Sequence, residues 1–269
     1  MIIVKVKDLW KRYGSLEVLK GLNLDINEGE TLVILGRSGV GKSVLLKQII
    51  GLEQPDKGYV EVNGQRVDDV LQYQLNPNAK RMGMLFQGSA LFDSMDVSEN
   101  TAYYLHEHEH HLSEKEIQDR VDHALELVGL QDTQHKMPSD LSGGMRKRAA
   151  LARLIVYRPE IVLYDEPTTG LDPITAMQIN DLINKTKSEL KATSVVVTHD
   201  IQSALHVGDR LAFHDEGIIQ LVAPKDEFLR TDNKGVKAFF ANAFLSEKTL
   251  EGYKKKRSSL EPCLANSKV

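Results

Sequence analysis

Thr31-Leu32-Val33-Ile34-Leu35 runs into Gly36-Arg37-Ser38-Gly39-Val40-Gly41-Lys42-Ser43, and an apolar helical stretch from Val44 to Ile50 follows. The middle eight residues fit the spacing G-x-x-x-x-G-K-[ST] in the context that gives it meaning, after a buried strand and before a helix. Glycines let the backbone curl so that successive N–H groups surround phosphate oxygens, and the helix amino terminus adds its positive dipole. Lys42 is placed to bridge β- and γ-phosphates, and the Ser43 hydroxyl to ligate Mg²⁺. An accidental match of this length arises in roughly one chain in a hundred, and the strand–loop–helix context lowers that further. Gly36, Arg37, Ser38, Gly39, Val40, Gly41, Lys42 and Ser43 are therefore read as a phosphate-binding loop.

Outward from this loop the chain alternates strands and helices. Leu22, Leu24 and Ile26 alternate with polar residues, the period of a half-buried strand. Tyr59-Val60-Glu61-Val62 meets Asn63-Gly64, a tight-hairpin dipeptide, and the first sixty residues read as short strands. From about Ala90 to Tyr157 the apolar spacing turns helical, with Ile117, Val121, Ala124, Leu125 and Val128 on one face and Gly129 as a stop. Continuous apolar runs return at Ile161–Tyr164 and Ser194–Val197, separated by a helix carrying Ile179, Leu182, Ile183 and Leu190. Leu211 to Val222 reads as a last hairpin turning at Glu216-Gly217. This order predicts an α/β fold with a parallel core sheet covered on both faces. The apolar Ile161–Tyr164 strand ends in Asp165-Glu166. A carboxylate at the tip of a neighbouring parallel strand can reach the metal held by the loop, which assigns Asp165, while Glu166 is free to polarise an attacking water.

Composition narrows the class. In 269 residues, 34 basic and 38 acidic side chains give a net charge of −4, which offers no footprint for a nucleic-acid partner. The single cysteine, Cys263, forms no internal disulfide and suits a reducing compartment. No apolar run approaches the ~18 residues of a membrane span, and the first residues lack a signal-peptide core of about 7–15 apolar residues. A cytoplasmic chain is expected.

Leu141-Ser142-Gly143-Gly144-Met145 separates this chain from other phosphate-loop proteins: it resembles the LSGGQ signature of ATP-binding-cassette (ABC) ATPases. The resemblance covers almost the whole chain in order. It implies a P-loop NTPase fold of the ABC type, with an antiparallel β flank and an inserted helical subdomain at about 88–157. The ATPase domain would span 1–245, and a polar tail, 246–269, would be flexible or a subunit contact. It implies ATP and Mg²⁺ as ligands, with Tyr13 stacking on adenine and Gln87 ligating Mg²⁺ and coupling the site to a membrane partner. Asp172 would form an inter-subunit loop, and His199 would contact the γ-phosphate. Ser142, Gly143 and Gly144 would meet the ATP held by a second copy, so that two chains sandwich two nucleotides. Ser142 also suits a helix N-cap, and the two readings are compatible. Met145 departs from the usual glutamine at the position least involved in phosphate contact.

Arg81 to Met95, followed by Val97 and Glu99-Asn100, together with Leu141–Arg148, looks like the Mla-type ATPases of Mce-associated lipid transport. That likeness implies phospholipid as cargo and an integral membrane permease touching the region after Gln87. It also implies an Mce-domain lipid-binding partner, a small accessory subunit, and a peripheral location on the cytoplasmic face of the inner membrane. An importer ATPase for amino acids or other small solutes is the alternative; non-transport ABC proteins and P-loop kinases fit less well. Leu91, Phe92 and Met95 are read either as core or as the groove that receives the permease. His106-Glu107-His108-Glu109-His110-His111 is read as a solvated helix end or loop, since its ligand spacing is too dense for a structural zinc site and no cysteine joins it.

Overall fold

Continuous and alternating apolar runs sort the strands into two sheets. The computed structural model describes residues 1–67 and 82–242, so Arg81, Cys263 and the expected tail at 246–269 lie outside the described residues. Strands β3 (Thr31–Leu35), β7 (Ile161–Asp165) and β8 (Thr193–Thr198) are buried at every residue, as the unbroken apolar runs require of strands covered on both faces. With β6 (Met82–Leu85), β9 (Arg210–Asp215) and β10 (Ile218–Pro224) they form a six-stranded sheet in the order β10-β9-β3-β8-β7-β6. Pairing is parallel except at the β9–β10 hairpin, which turns at Glu216-Gly217 where both residues have positive φ.

The second sheet is antiparallel, in the order β2-β1-β4-β5, from β1 (Ile2–Tyr13), β2 (Leu16–Asn27), β4 (Lys57–Val62) and β5 (Gln65–Arg66). The expected Asn63-Gly64 hairpin joins the last two, with φ of 52° and 75°. The short strands expected at the amino end are instead two strands of 12 residues each. Register shifts along the β1–β2 ladder, including one between Val6 and Leu9, interrupt the period-two pattern and conceal its length in the sequence.

Between β6 and β7 stand α2 (Val97–His108), α3 (Glu114–Leu127), a 3₁₀ turn at Pro138–Asp140, and α4 (Gly143–Ile155). Capping boxes start α2 and α3: Asp96 with Glu99, and Ser113 with Glu116. Helices α1 (Lys42–Ile49), α5 (Pro173–Leu190), α6 (Ile201–Val207), α7 (Lys225–Phe228) and α8 (Lys234–Asn242) complete the elements among the described residues.

The pleat divides the core. Leu32 and Ile34 of β3 join Leu45, Leu46 and Ile49 of α1 and the antiparallel sheet in one cluster. Val33 and Leu35 face Val121, Leu125, Leu151 and Ile183 from the helices in another. Among the described residues no helix is long and apolar enough to cross a membrane. The carboxyl ends of β3, β7 and β8 converge, and ligand sites of parallel sheets form at such ends.

Candidate active site

Gly36 leaves β3 pressed against the neighbouring strand: a Cβ there would lie 2.3 Å from the His214 carbonyl oxygen. Gly41 caps α1 with φ 105°, and a Cβ on it would lie 2.6 Å from Val18 Cγ1. Both glycines are thus required, the first by close approach and the second by conformation as well. Lys42, 4% exposed, donates to the carbonyls of Gly36 and Arg37 at 2.9 Å each. Its ammonium also stands 3.2 Å from Glu166 Oε1.

The two acids that end β7 face different partners. Asp165 accepts from the Ser43 hydroxyl at 2.7 Å. Glu166 has φ 46°, a left-handed conformation that costs a non-glycine residue about 1–3 kcal/mol and turns its carboxylate out of the strand direction. Its backbone N–H donates to Val197 O at 3.0 Å, and its Oε2 meets His199 Nδ1 at 2.8 Å and the Thr169 hydroxyl at 3.0 Å. Burial pushes the Asp165 carboxyl up from its ordinary range, against the Ser43 hydrogen bond, which pulls it down. Burial also lowers the Lys147 ammonium, opposed by the charges of Asp165 and Glu166.

A cleft of about 340 Å³ opens over this cluster, lined by Ser38, Gly39, Gly41, Lys42, Ser43, Gln87, Glu166 and His199, with Val18, Val44 and Thr169. Val18, Val44 and Thr169 have no place in the motif-based reading; Thr169 lay within reach of it, in the short loop between Glu166 and Asp172. Tyr13 stands at the end of β1, 46% exposed, and its hydroxyl is bonded to Glu53. Burial and that acid push the phenol up to about 12.

Other expected residues stand apart from the cleft. Ser142 caps α4, accepting from Met145 N–H at 3.2 Å. Met145 packs against the helical core, an apolar role that accounts for the departure from glutamine. Gly144 abuts α5, where a Cβ would lie 2.5 Å from Thr175 Cγ2. Asp172 caps α5, accepting from Ile174 N–H at 3.0 Å and from the Thr175 hydroxyl at 2.5 Å, and these bonds hold its carboxyl below the usual range. Phe92 is 40% exposed, whereas Leu91 packs on the core. In the histidine-rich stretch His106 and His111 turn to separate carboxylates, Glu114 at 3.7 Å and Glu109 at 3.5 Å.

A glycine loop between a buried parallel strand and a helix, a buried lysine, and a serine–aspartate pair define a P-loop nucleotide-binding protein. Residues 19–169 match the ABC transporter family, and the chain belongs to it as an ATP-binding ATPase subunit. It is 39% identical over 238 residues to the probable ribonucleotide transport ATP-binding protein Mkl of Mycobacterium leprae, covering 88% of this chain and 68% of that protein. The share of the Mycobacterium tuberculosis counterpart is 66%, so this chain spans about two thirds of these relatives. It is 41% identical over 207 residues to the intermembrane phospholipid transport ATP-binding protein MlaF of Haemophilus influenzae, covering 77% of this chain and 78% of that one. Among solved structures, the dimeric post-hydrolysis state of the ATP-binding cassette MJ0796, bound to ADP and Pi, superposes with a TM-score of 0.75 at 32% identity. That match covers 82% of this chain and 98% of the other.

Proposed function

We propose that this chain is the ATP-hydrolysing motor of a phospholipid transporter, working as a pair of copies on the cytoplasmic face of the inner membrane. The observation that carries the motor is the cluster of Lys42, Ser43, Asp165, Glu166 and His199 at the ends of three parallel strands. Lys42 is held by two carbonyls and Glu166, a set of contacts that an arriving triphosphate replaces with its β- and γ-oxygens. Mg²⁺ fits the donors present: the Ser43 hydroxyl and the Asp165 carboxylate are hard oxygens already 2.7 Å apart, and Gln87 lines the same cleft. Bound there by Ser43, Asp165 and Gln87, the metal would neutralise charge on the transferring phosphoryl group.

Glu166 acts as the group that orients and deprotonates the attacking water, since it is buried, fixed by Thr169 and His199, and aimed into the cleft. His199 holds that carboxylate and reaches the γ-phosphate. Tyr13 provides a face for adenine. Ser142, Gly143 and Gly144 stand away from this cleft and are used by the second copy, against the nucleotide of the first, with Asp172 at the junction. Closure and release of that sandwich convert hydrolysis into motion. The dimeric state of the MJ0796 cassette supports this arrangement.

Phe92, exposed just beyond Gln87, supports a permease contact there. The likeness to MlaF supports phospholipid as cargo, with an Mce-type protein and a small accessory subunit completing the complex. The test is capture of the full-length chain from membranes in mild detergent, with mass spectrometry of the associated proteins and lipids. The reading expects a permease, an Mce-domain protein and stoichiometric phospholipid. A permease with a solute receptor and no lipid would replace the cargo with a small solute.

A further inference from the structure

Helix α4 carries the signature residues at its amino end and grips the other side of the site farther along. Lys147, one turn in from Ser142 and 5% exposed, reaches across 60 residues of sequence to the backbone carbonyl of Gln87. Two turns later Arg153 donates to Ala90 O at 2.7 Å and Ser89 O at 3.4 Å, and its guanidinium stands 5.4 Å from the centre of the Phe92 ring. The segment held this way is strained: Ser89 and Ala90 have successive φ values of 66° and 50°. Two consecutive left-handed non-glycine residues persist only where the surroundings over-determine them, and α4 supplies those surroundings. Gln87 follows β6 by two residues, and Lys147 ties its carbonyl to α4 just before the strained Ser89–Ala90 turn.

We propose that Lys147 is a positioning residue for Gln87, a buried cation that fixes the Gln87 backbone to the signature helix so that the Gln87 side chain is presented to the metal and γ-phosphate. The inference rests on the assignment of Gln87 to that role. It predicts that loss of the cation misplaces Gln87 without touching nucleotide stacking or the phosphate loop. A misplacement of about 1 Å lowers turnover by roughly ten- to a hundredfold.

The test is ATP turnover of the full-length chain as a function of Mg²⁺, in wild type, Lys147→Met, Lys147→Arg, Gln87→Ala and the double variant. Lys147→Met is expected to lower kcat about tenfold or more and raise the half-saturating Mg²⁺ concentration, with ATP binding within about twofold of wild type. Lys147→Arg, which keeps a charged donor, restores most of kcat. In the Gln87→Ala background Lys147→Met adds less than about twofold, because the side chain through which it acts is gone.

Wild-type turnover and Mg²⁺ dependence in Lys147→Met, beside an impaired Gln87→Ala, overturns the proposal alone. So does multiplication of the two effects in the double variant. A Gln87→Ala variant that behaves as wild type removes the role of Gln87 and the proposal with it. If Lys147→Met does not fold, Lys147→Leu, which also removes both the charge and the donor, takes its place and the same comparisons decide.

Discussion

Replacing Gly36 by alanine puts a methyl group where the structure has no room. The new Cβ would lie 2.3 Å from the His214 carbonyl oxygen, 3.2 Å from Val40 Cγ2 and 3.4 Å from the His214 carbonyl carbon. An ordinary carbon–oxygen contact is about 3.3 Å or more, so the loop or β9 must retreat by about 1 Å. His214 O belongs to β9, which is held between β3 and β10 with His214 paired to Ile219, so the loop is the part that moves. Overpacking of this kind costs about 1–3 kcal/mol. At roughly 2–4 °C per kcal/mol for a chain of this size, the melting temperature falls by about 2–12 °C. A 1 Å displacement of groups that grip phosphate weakens binding or turnover by on the order of a hundredfold. Thermal melting and titration of ATP with Mg²⁺ measure both effects. Gly39→Ala is the control: it meets open space but has φ 83°, so it carries backbone strain of about 1–2 kcal/mol and no collision. Gly36→Ala with unchanged melting and ATP affinity within about twofold of wild type would refute the claim that the loop is seated against β9.

Two further outcomes follow from buried and exposed rings near the site. The His214 ring is fully buried with no hydrogen-bond partner on either nitrogen, and burial, reinforced by the Lys42 charge, lowers it to about 4. The neutral ring therefore contributes stability that is complete above about pH 6.5 and is lost as pH falls toward 4, to a total of about 3 kcal/mol. His214→Leu should flatten that loss in urea-unfolding midpoints between pH 7 and 5; an unchanged pH slope would contradict it. In the adenine contact proposed for Tyr13 the ring rather than the hydroxyl does the stacking, so Tyr13→Phe is expected to keep the KM for ATP within about threefold while Tyr13→Ala raises it about tenfold. Equal effects of the two substitutions would assign the role to the Glu53 hydrogen bond instead.

Local chemistry made much of this molecule readable before its structure. The phosphate loop announces itself because its function requires glycines, a lysine and a hydroxyl at adjacent positions, flanked by β3 and α1. Asp165 and Glu166 are legible for the same reason, as acids that end an apolar strand. The two hairpin turns are visible in Asn63-Gly64 and Glu216-Gly217, where positive φ dictates composition. Contacts made across the chain leave no such trace. Val18 reaches the cleft only because β2 passes beside Gly41, and Lys147 meets Gln87 only after α4 has docked. The left-handed turn of Glu166, which separates its partners from those of Asp165, is likewise imposed by its surroundings and not by the residue type. Register shifts concealed the length of β1 and β2, since a bulge breaks the alternation by which a strand is recognised.

In the proposed function Glu166 activates the hydrolytic water while Lys42 and Ser43 hold the nucleotide. Glu166→Gln preserves the shape and the hydrogen bonds to Thr169 and His199 but removes the base. The decisive measurement is steady-state ATP turnover of this variant together with its mass by light scattering in ATP and Mg²⁺. Expected are wild-type nucleotide affinity, turnover reduced by at least about a hundredfold, and an ATP-dependent dimer that the wild type forms only transiently. Wild-type turnover in Glu166→Gln would contradict it.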